Sequence, residues 1–469
     1  MRFSAAITAE RLLPQSVAVR ARPLLDRVDA VIGGVSGQGH GEAGRVSLIA
    51  FAIRIANAAI AFVSQVLLAR WMGSFDYGIF VLVWTTMIIV GNIACFGFHT
   101  SIIRFIPQYR ETGQLAYLRG VLFGSRVGVL IASSVLAGIG ALGIWLFSPS
   151  IESYYLVPFL LGLVCLPMIA LSDMLQGIAR ANAWAVSALA SAYLIRPVLI
   201  LVCMVVALMM GFAHDAVTAV WCAVVATYLT TIWQLVSVTH RVDSRIPNGP
   251  RRYEMRLWIA VSLPIFLVEA FFFLLTNADV LMVGAFLDPH DVAVYYATVK
   301  TLALVHFVYF SVKAGVAQRY AQLASEGGTK LAEFARVTSA WTFWPSLAMG
   351  LVVLALGKPM LLLFGPGFDA GYPLLFVLVL GVVARAAVGP AESLLTMTGN
   401  QNICAAIYAA ALAINVGLTV WLIPLYGLWG AAFGTLGAVA FEAILLTIVV
   451  WRRLGIAMGV FFPARAEVR

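Results

Sequence analysis

Charge is the first thing this chain is short of. Only 11% of its 469 residues are Asp, Glu, Lys or Arg, and 62% are hydrophobic, with a mean hydropathy of +0.97. Soluble domains carry about a quarter of their residues charged, so a soluble globular chain is excluded. Cysteine is scarce as well: the five at 95, 165, 203, 222 and 404 all fall inside apolar runs. None has metal-ligand or redox spacing, so they read as small packing residues, and no metal site is expected. There is no P-loop. Gly39-His40-Gly41-Glu42-Ala43-Gly44 fits the glycine fingerprint of dinucleotide sites. That fingerprint works only between a strand and a helix of a βαβ unit, and here a membrane span follows it. No cofactor, no ATP hydrolysis and no nucleic-acid partner are expected. Residues 1–45 are polar and Arg-bearing with no continuous apolar stretch, which argues against a cleaved signal peptide. They read as a mobile tail, the alternative being a short surface helix lined by Phe3, Ile7, Leu12 and Leu13.

What is present is a series of apolar runs. A helical span needs about 20 apolar residues. Twelve such runs are read at about 46–69, 79–98, 123–147, 156–175, 184–211, 216–239, 257–285, 292–314, 341–364, 372–397, 403–423 and 428–450. The expected fold class is an all-α integral membrane protein. The net charge of +9, which would suggest nucleic acid in a soluble protein, is here first a matter of topology. Assigning Lys and Arg to alternate sides puts 22 on one side and only Arg70 and Lys358 on the other. The positive-inside rule then places both termini in the cytoplasm, and the expected location is the inner membrane.

The chain also repeats itself. Val66 to Phe80 reads V-L-L-A-R-W-M-G-S-F-D-Y-G-I-F, the end of one apolar helix, a tight polar loop and the start of the next. Shifted by 215 positions it meets Leu281 to Tyr295 without a gap, Asp76 on Asp291 and Phe80 on Tyr295. The same shift brings Arg104 onto Arg319, Glu111 onto Glu326 and Arg54 onto Glu269. Six spans per half is an even number, so both halves enter from the same side and the repeat is parallel. The expected organisation is a basic cytoplasmic segment 1–45, a six-helix half 46–239, a cytoplasmic linker 240–256, a second six-helix half 257–450 and a cytoplasmic tail 451–469.

Three stretches carry a resemblance. A-R-W-M-G-S-F-D-Y-G-I-F resembles the first-loop motif of bacterial polysaccharide-export flippases of the multidrug/oligosaccharidyl-lipid/polysaccharide (MOP) superfamily. L-P-I-F...N-A-D-V-L-M-V-G-A-F-L is similar to that family's seventh-helix region. T-G-N-Q-N...N-V-G-L-T-V-W-L-I-P-L-Y-G-L-W-G-A-A, from Thr398 to Ala432, is similar to its tenth-to-twelfth-helix pattern. Together they cover roughly residues 46–450. The resemblance implies a MATE-like fold and a flippase that moves a polyprenyl-diphosphate-linked oligosaccharide between leaflets for surface polysaccharide export. It implies the lipid-linked glycan and membrane lipids as partners, and the polymerase and export machinery of the polysaccharide as further ones.

A charge at the bilayer centre costs about 2.5–3.5 kcal/mol on insertion scales, so charges inside spans mark function by default. Arg54 shares a helical face with Asn57, Ala61 and Gln65. Glu269, Thr276 and Asp279 form a comparable stripe on the seventh span, after Pro264 as an expected kink. Arg196 precedes Pro197 near the middle of the fifth span; Arg385 and Glu392 flank Gly389-Pro390 in the tenth; Lys300 lies in the eighth. Arg54, Arg196, Lys300 and Arg385 are the expected cavity cations for a diphosphate, and Glu269, Asp279 and Glu392 the gating or coupling acids. Arg126 and Lys313, near span ends, are expected to snorkel to headgroups, Asp173 reads as structural, and Glu442 has no evident partner.

Rival readings remain on the same residues. A cation-coupled multidrug exporter would prefer an acid-rich cavity. A peptidoglycan-precursor flippase would use the same chemistry but has more spans. An enzyme of glycan assembly needs room outside the bilayer, which outer loops of about ten residues do not give, so no enzymatic activity is expected. A non-transporting scaffold would not need the buried charges.

Overall fold

The computed structural model describes residues 41–184, 190–244, 246–326 and 329–460. The chain divides into two units, 1–57 and 58–469. The described part of the first is helix over residues 41–57, and the side chains of Arg54 and Asn57 lie outside the described residues. The 1–40 tail and its glycine fingerprint start also lie outside them.

All regular structure among the described residues is helical. Backbone in hydrocarbon has no water to satisfy it, and a helix closes its own hydrogen bonds. Through the first half run α1 (Gly41–Ala94), α2 (Phe98–Glu111), α3 (Leu115–Phe147), α4 (Ser153–Ala181), α5 (Arg196–Met209) and α6 (Ala216–Asp243). The second half holds α7 (Met255–Leu275), α8 (Ala278–Phe286), α9 (Pro289–Glu326), α10 (Thr329–Leu362), α11 (Tyr372–Val388), α12 (Ala391–Met397), α13 (Gln401–Tyr426) and α14 (Leu428–Leu454). Eleven stretches among the described residues are long and apolar enough to cross a membrane. The first, Ala58–Glu111, contains a kink at Gly73 and so accommodates two of the expected passes. This is a multi-pass membrane protein of about twelve spans.

The seventh and tenth spans are each two helices rather than one. Gly389, with φ 78°, and Pro390 separate α11 from α12, as glycine and proline do. The seventh span breaks elsewhere than expected: α7 continues through Pro264 and stops at Thr276. There Thr276 Oγ1 donates to the Phe272 and Phe273 carbonyls, and Asn277 Nδ2 donates to the Phe273 carbonyl at 2.9 Å. Side chains that satisfy the last carbonyls let the helix end inside apolar surroundings. Glu269 and Asp279 therefore sit on different helices, and the expected single stripe is split.

Three apolar clusters hold the bundle together. One, towards the end that carries Arg70 and Lys358, mixes the halves: Tyr77 and Phe80 of α1 pack with Tyr295 of α9 and with Phe364 and Phe368. The second belongs to the first half, with Ile102, Leu171 and Val238, and takes in Trp258 of α7. The third belongs to the second half, with Tyr320, Leu394 and Leu446. In lipid, packing of small residues replaces the hydrophobic drive. The α13–α14 pair shows it: Gly430, Gly434 and Gly437 recur on one face of α14, where a Cβ would meet Leu422, Thr419 and Leu418 of α13.

Candidate functional site

At the Arg70–Lys358 end the two halves are fastened together. Arg70 Nε donates to the Leu363 carbonyl at 2.6 Å and Nη2 to the Leu362 carbonyl at 2.9 Å. Ser74 Oγ and His290 Nδ1 are 2.8 Å apart. Gly78 lies so close to the Pro289 carbonyl that no side chain fits between them. The Ser74–His290 and Gly78–Pro289 contacts join the repeated loop to its echo, and Arg70 of that loop reaches instead to the end of α10. The Asp76 carboxylate of that loop accepts from the Ala216 N–H at the start of α6, where a helix N-terminus favours a negative group.

Farther towards the Arg-rich end each half buries its own polar cluster between its spans. In the first half a π turn over Ser191–Ile195 precedes Arg196. Pro197 removes one backbone donor and crowds the preceding turn, and a π turn absorbs that mismatch. Arg196, 7% exposed, donates to Ser172 Oγ of α4 at 2.8 Å, and Ser172 donates to Gln234 Oε1 of α6 at 3.0 Å. On α4 the neighbouring Asp173 accepts from Gln176 at 2.9 Å.

The second half holds a denser cluster. Arg385 of α11, 6% exposed, lies 2.9 Å from a Glu392 oxygen of α12 and 2.9 Å from a Glu442 oxygen of α14. Lys313 of α9 pairs with the other Glu392 oxygen, and Tyr408 of α13 donates to Glu392 at 2.7 Å. Aromatic faces line the guanidinium: Tyr309 at 5.2 Å and Phe272 at 5.9 Å. Two cations and two carboxylates thus meet across four helices. Lys313 does not snorkel outwards as its sequence position suggests. Its carboxylate partner and the Phe272 and Phe310 rings hold it inside, with 29% of its side chain exposed. Glu442 has a partner that spacing along the chain could not show. Arg126, also expected to snorkel, donates to Thr239 of α6 at 2.8 Å.

The remaining expected site residues stand apart from these clusters. Lys300 lies over the Tyr296 ring at 4.7 Å and is half-buried. Asp279 is buried and accepts from Tyr295 at 3.0 Å. Glu269 of α7 reaches the first half, where Thr100 donates to it at 2.8 Å and His99 Nε2 lies 3.3 Å away. Gln65, on the expected face of Arg54, accepts from Tyr77 at 3.0 Å. The structure therefore brings Arg385 and Glu392 together, leaves Arg196 in the other half, and adds Lys313, Glu442 and Tyr408 to the group. Among the described residues no three His, Cys, Asp or Glu side chains converge as a metal site.

A protein-family model described as polysaccharide biosynthesis protein matches residues 44–317, and one described as MatE matches residues 264–421. Nothing among curated proteins matches significantly. Among solved structures the chain is similar to the lipid II flippase MurJ in an inward closed conformation. The TM-score is 0.69 at 16% identity, over 86% of this chain and 87% of that one. It is similar to an inward-facing MATE multidrug resistance transporter of the MOP superfamily, with a TM-score of 0.66 at 15% identity over 86% of this chain and 94% of that one. An outward-facing MATE transporter of that superfamily gives 0.58 at 14% identity, over 87% and 95%. At these identities the likeness is one of fold. The family model covers more than half of the chain, and the protein belongs to the polysaccharide biosynthesis protein family, with the fold of the MOP superfamily.

Proposed function

We propose that this protein is a flippase that carries a polyprenyl-diphosphate-linked oligosaccharide from the cytoplasmic to the periplasmic leaflet of the inner membrane, by alternating access between its two halves. The observation that carries the reading is the polysaccharide biosynthesis match over residues 44–317, which takes in both Lys300 and Lys313. With both termini cytoplasmic, the fastened Arg70 end faces the periplasm. The two lysines stand on α9 about 20 Å apart along its axis at 1.5 Å per residue. Each is partly exposed, and Lys313 has a carboxylate partner in Glu392.

A diphosphate entering the cleft competes with Glu392 for Lys313. Arg385 stays behind with Glu392 and Glu442, one positive charge against two negative, while the lipid tail remains in the bilayer. Displacing one partner of a buried pair changes the relative stability of the two arrangements of the halves, which is what a substrate must do to drive the change. With the cell interior negative, outward movement of anionic charge is favoured by about 2.3 kcal/mol per charge per 100 mV. The test is in cells lacking the protein. They should accumulate the lipid-linked oligosaccharide and lose surface polysaccharide, and the wild-type chain should restore it while Lys313→Ala at equal membrane level should not. Unchanged surface polysaccharide in the deletion strain would refute the reading.

A further inference from the structure

A polar cavity lies away from the clusters above, at the Arg-rich end of the first half. It is a pocket of about 720 Å³ between the start of α3, the end of α6 and the segment that joins the halves. The joining segment is fixed to α3 rather than left to swing. Arg119 donates to the Pro250 and Pro247 carbonyls at 2.9 and 2.7 Å, and the Arg252 N–H donates to the Ala116 carbonyl at 3.0 Å. Gly249 sits against the Arg119 guanidinium with no room for a side chain. This folded segment roofs the pocket.

The lining is mixed in character. Its polar part is Arg119, Arg126, Arg251 and Asn248, with Asp243 as the acidic residue. Three guanidinium groups against one carboxylate leave the pocket positive. The Nε of Arg126 is buried and has no hydrogen-bond partner, although Nη1 is used by Thr239. Arg251 lies over the Phe123 ring at 4.1 Å. The rest of the lining is apolar and turned outwards: Phe123 and Val236 both line the pocket and are exposed large hydrophobics. Trp233 and Ile232 continue that outward face along α6. A ligand that fits must put anionic oxygens under the roof and apolar chains along the bundle. A free anion would use only the first half of this lining.

We infer that this pocket binds the phosphate headgroup of an anionic membrane phospholipid, held by Arg126 and Arg251 with its acyl chains along Phe123 and Val236. Basic pockets between spans at the interface recognise such headgroups by this combination of charge and apolar wall. The site is separate from the clusters assigned to transport, so binding can be read without any transport measurement.

The test is lipid binding by native mass spectrometry of the purified full chain, titrated with phosphatidylglycerol, phosphatidylcholine or inorganic phosphate. Phosphatidylglycerol should occupy one site above the general lipid background, and phosphatidylcholine should not. The double variant R126Q/R251Q should weaken that site by about fivefold for each guanidinium removed while leaving the background unchanged. R251Q alone, altered only on the joining segment, should give one such step if the double variant is not recovered folded. Equal binding by R251Q and the wild type would overturn the inference, as would equal binding of phosphatidylcholine. Displacement of phosphatidylglycerol by millimolar inorganic phosphate would reassign the site to a free anion. Displacement by a polyprenyl diphosphate at lower concentration would reassign it to the transported lipid.

Discussion

Arg385 of α11 and Glu442 of α14 face each other at 2.9 Å inside the second half, and neither Glu442 oxygen has a hydrogen-bond donor. The pair is held by charge alone, and Glu442 is fully buried. With Lys313 and Glu392 the cluster balances two positive against two negative groups. Arg385→Met breaks that balance and should cost about 3–5 kcal/mol, the usual loss when one partner of a buried pair is removed. Arg385→Met with Glu442→Leu removes one charge of each sign and leaves the Lys313–Glu392 pair intact, so it should cost less than either single change. Denaturant midpoints in detergent decide this. A double variant as unstable as the sum of the singles would contradict the charge-balance account.

The Arg70 end should act as the outer gate. Arg70→Ala removes two hydrogen bonds that join the halves, worth on the order of 1.5 kcal/mol. That is a population change of about tenfold towards the separated state. Gly78→Ala should act in the same direction, because its Cβ would run into the Pro289 carbonyl. Spin labels on the exposed positions Phe75 and Lys358, in a Cys-depleted background, should report longer distances in both variants. Unchanged distance distributions would show that these contacts do not hold the gate.

Orientation is tested by labelling. Phe212→Cys, between α5 and α6, should react with an impermeant maleimide in sealed cells, and Asn248→Cys, on the joining segment, should react only after permeabilisation. Both native positions are exposed, so accessibility depends on the side of the membrane alone. The reverse pattern would invert the proposed topology and with it the direction of transport.

Much of this fold was legible because the constraint is severe. Spans must be apolar and helical, and Lys and Arg distribute by side, so the number of passes can be read from composition along the chain. The Gly389–Pro390 break was legible for the same local reason. The break at Thr276–Asn277 was not, since Thr276 and Asn277 end α7 through side-chain hydrogen bonds that any polar residue pair could make or decline. The site was read only by half. Arg385 and Glu392 share a span and could be paired on paper, but Lys313, Tyr408 and Glu442 join them only through packing of α9, α13 and α14. No spacing rule reaches across helices.

Arg54 and Glu269 are equivalent positions of the two halves with opposite charge. In this state Glu269 is engaged by Thr100 and lies beside His99 of the first half, so it already spans the two halves. Charge exchange tests whether the two positions act together in export. Arg54→Glu and Glu269→Arg should each impair export, and the exchanged double variant should recover part of it. A double variant whose defect is the plain sum of the two would show that they act independently.

The most direct test is translocation by the purified protein in proteoliposomes that carry a polyprenyl-diphosphate oligosaccharide, read by the accessibility of its sugar to an added glycosidase. The account predicts protein-dependent exchange between leaflets that is faster with the potential set to favour outward anion movement and is abolished by Lys313→Ala. Proteoliposomes that exchange an organic cation for protons, yet leave the lipid-linked oligosaccharide in place at either sign of the potential, would contradict it.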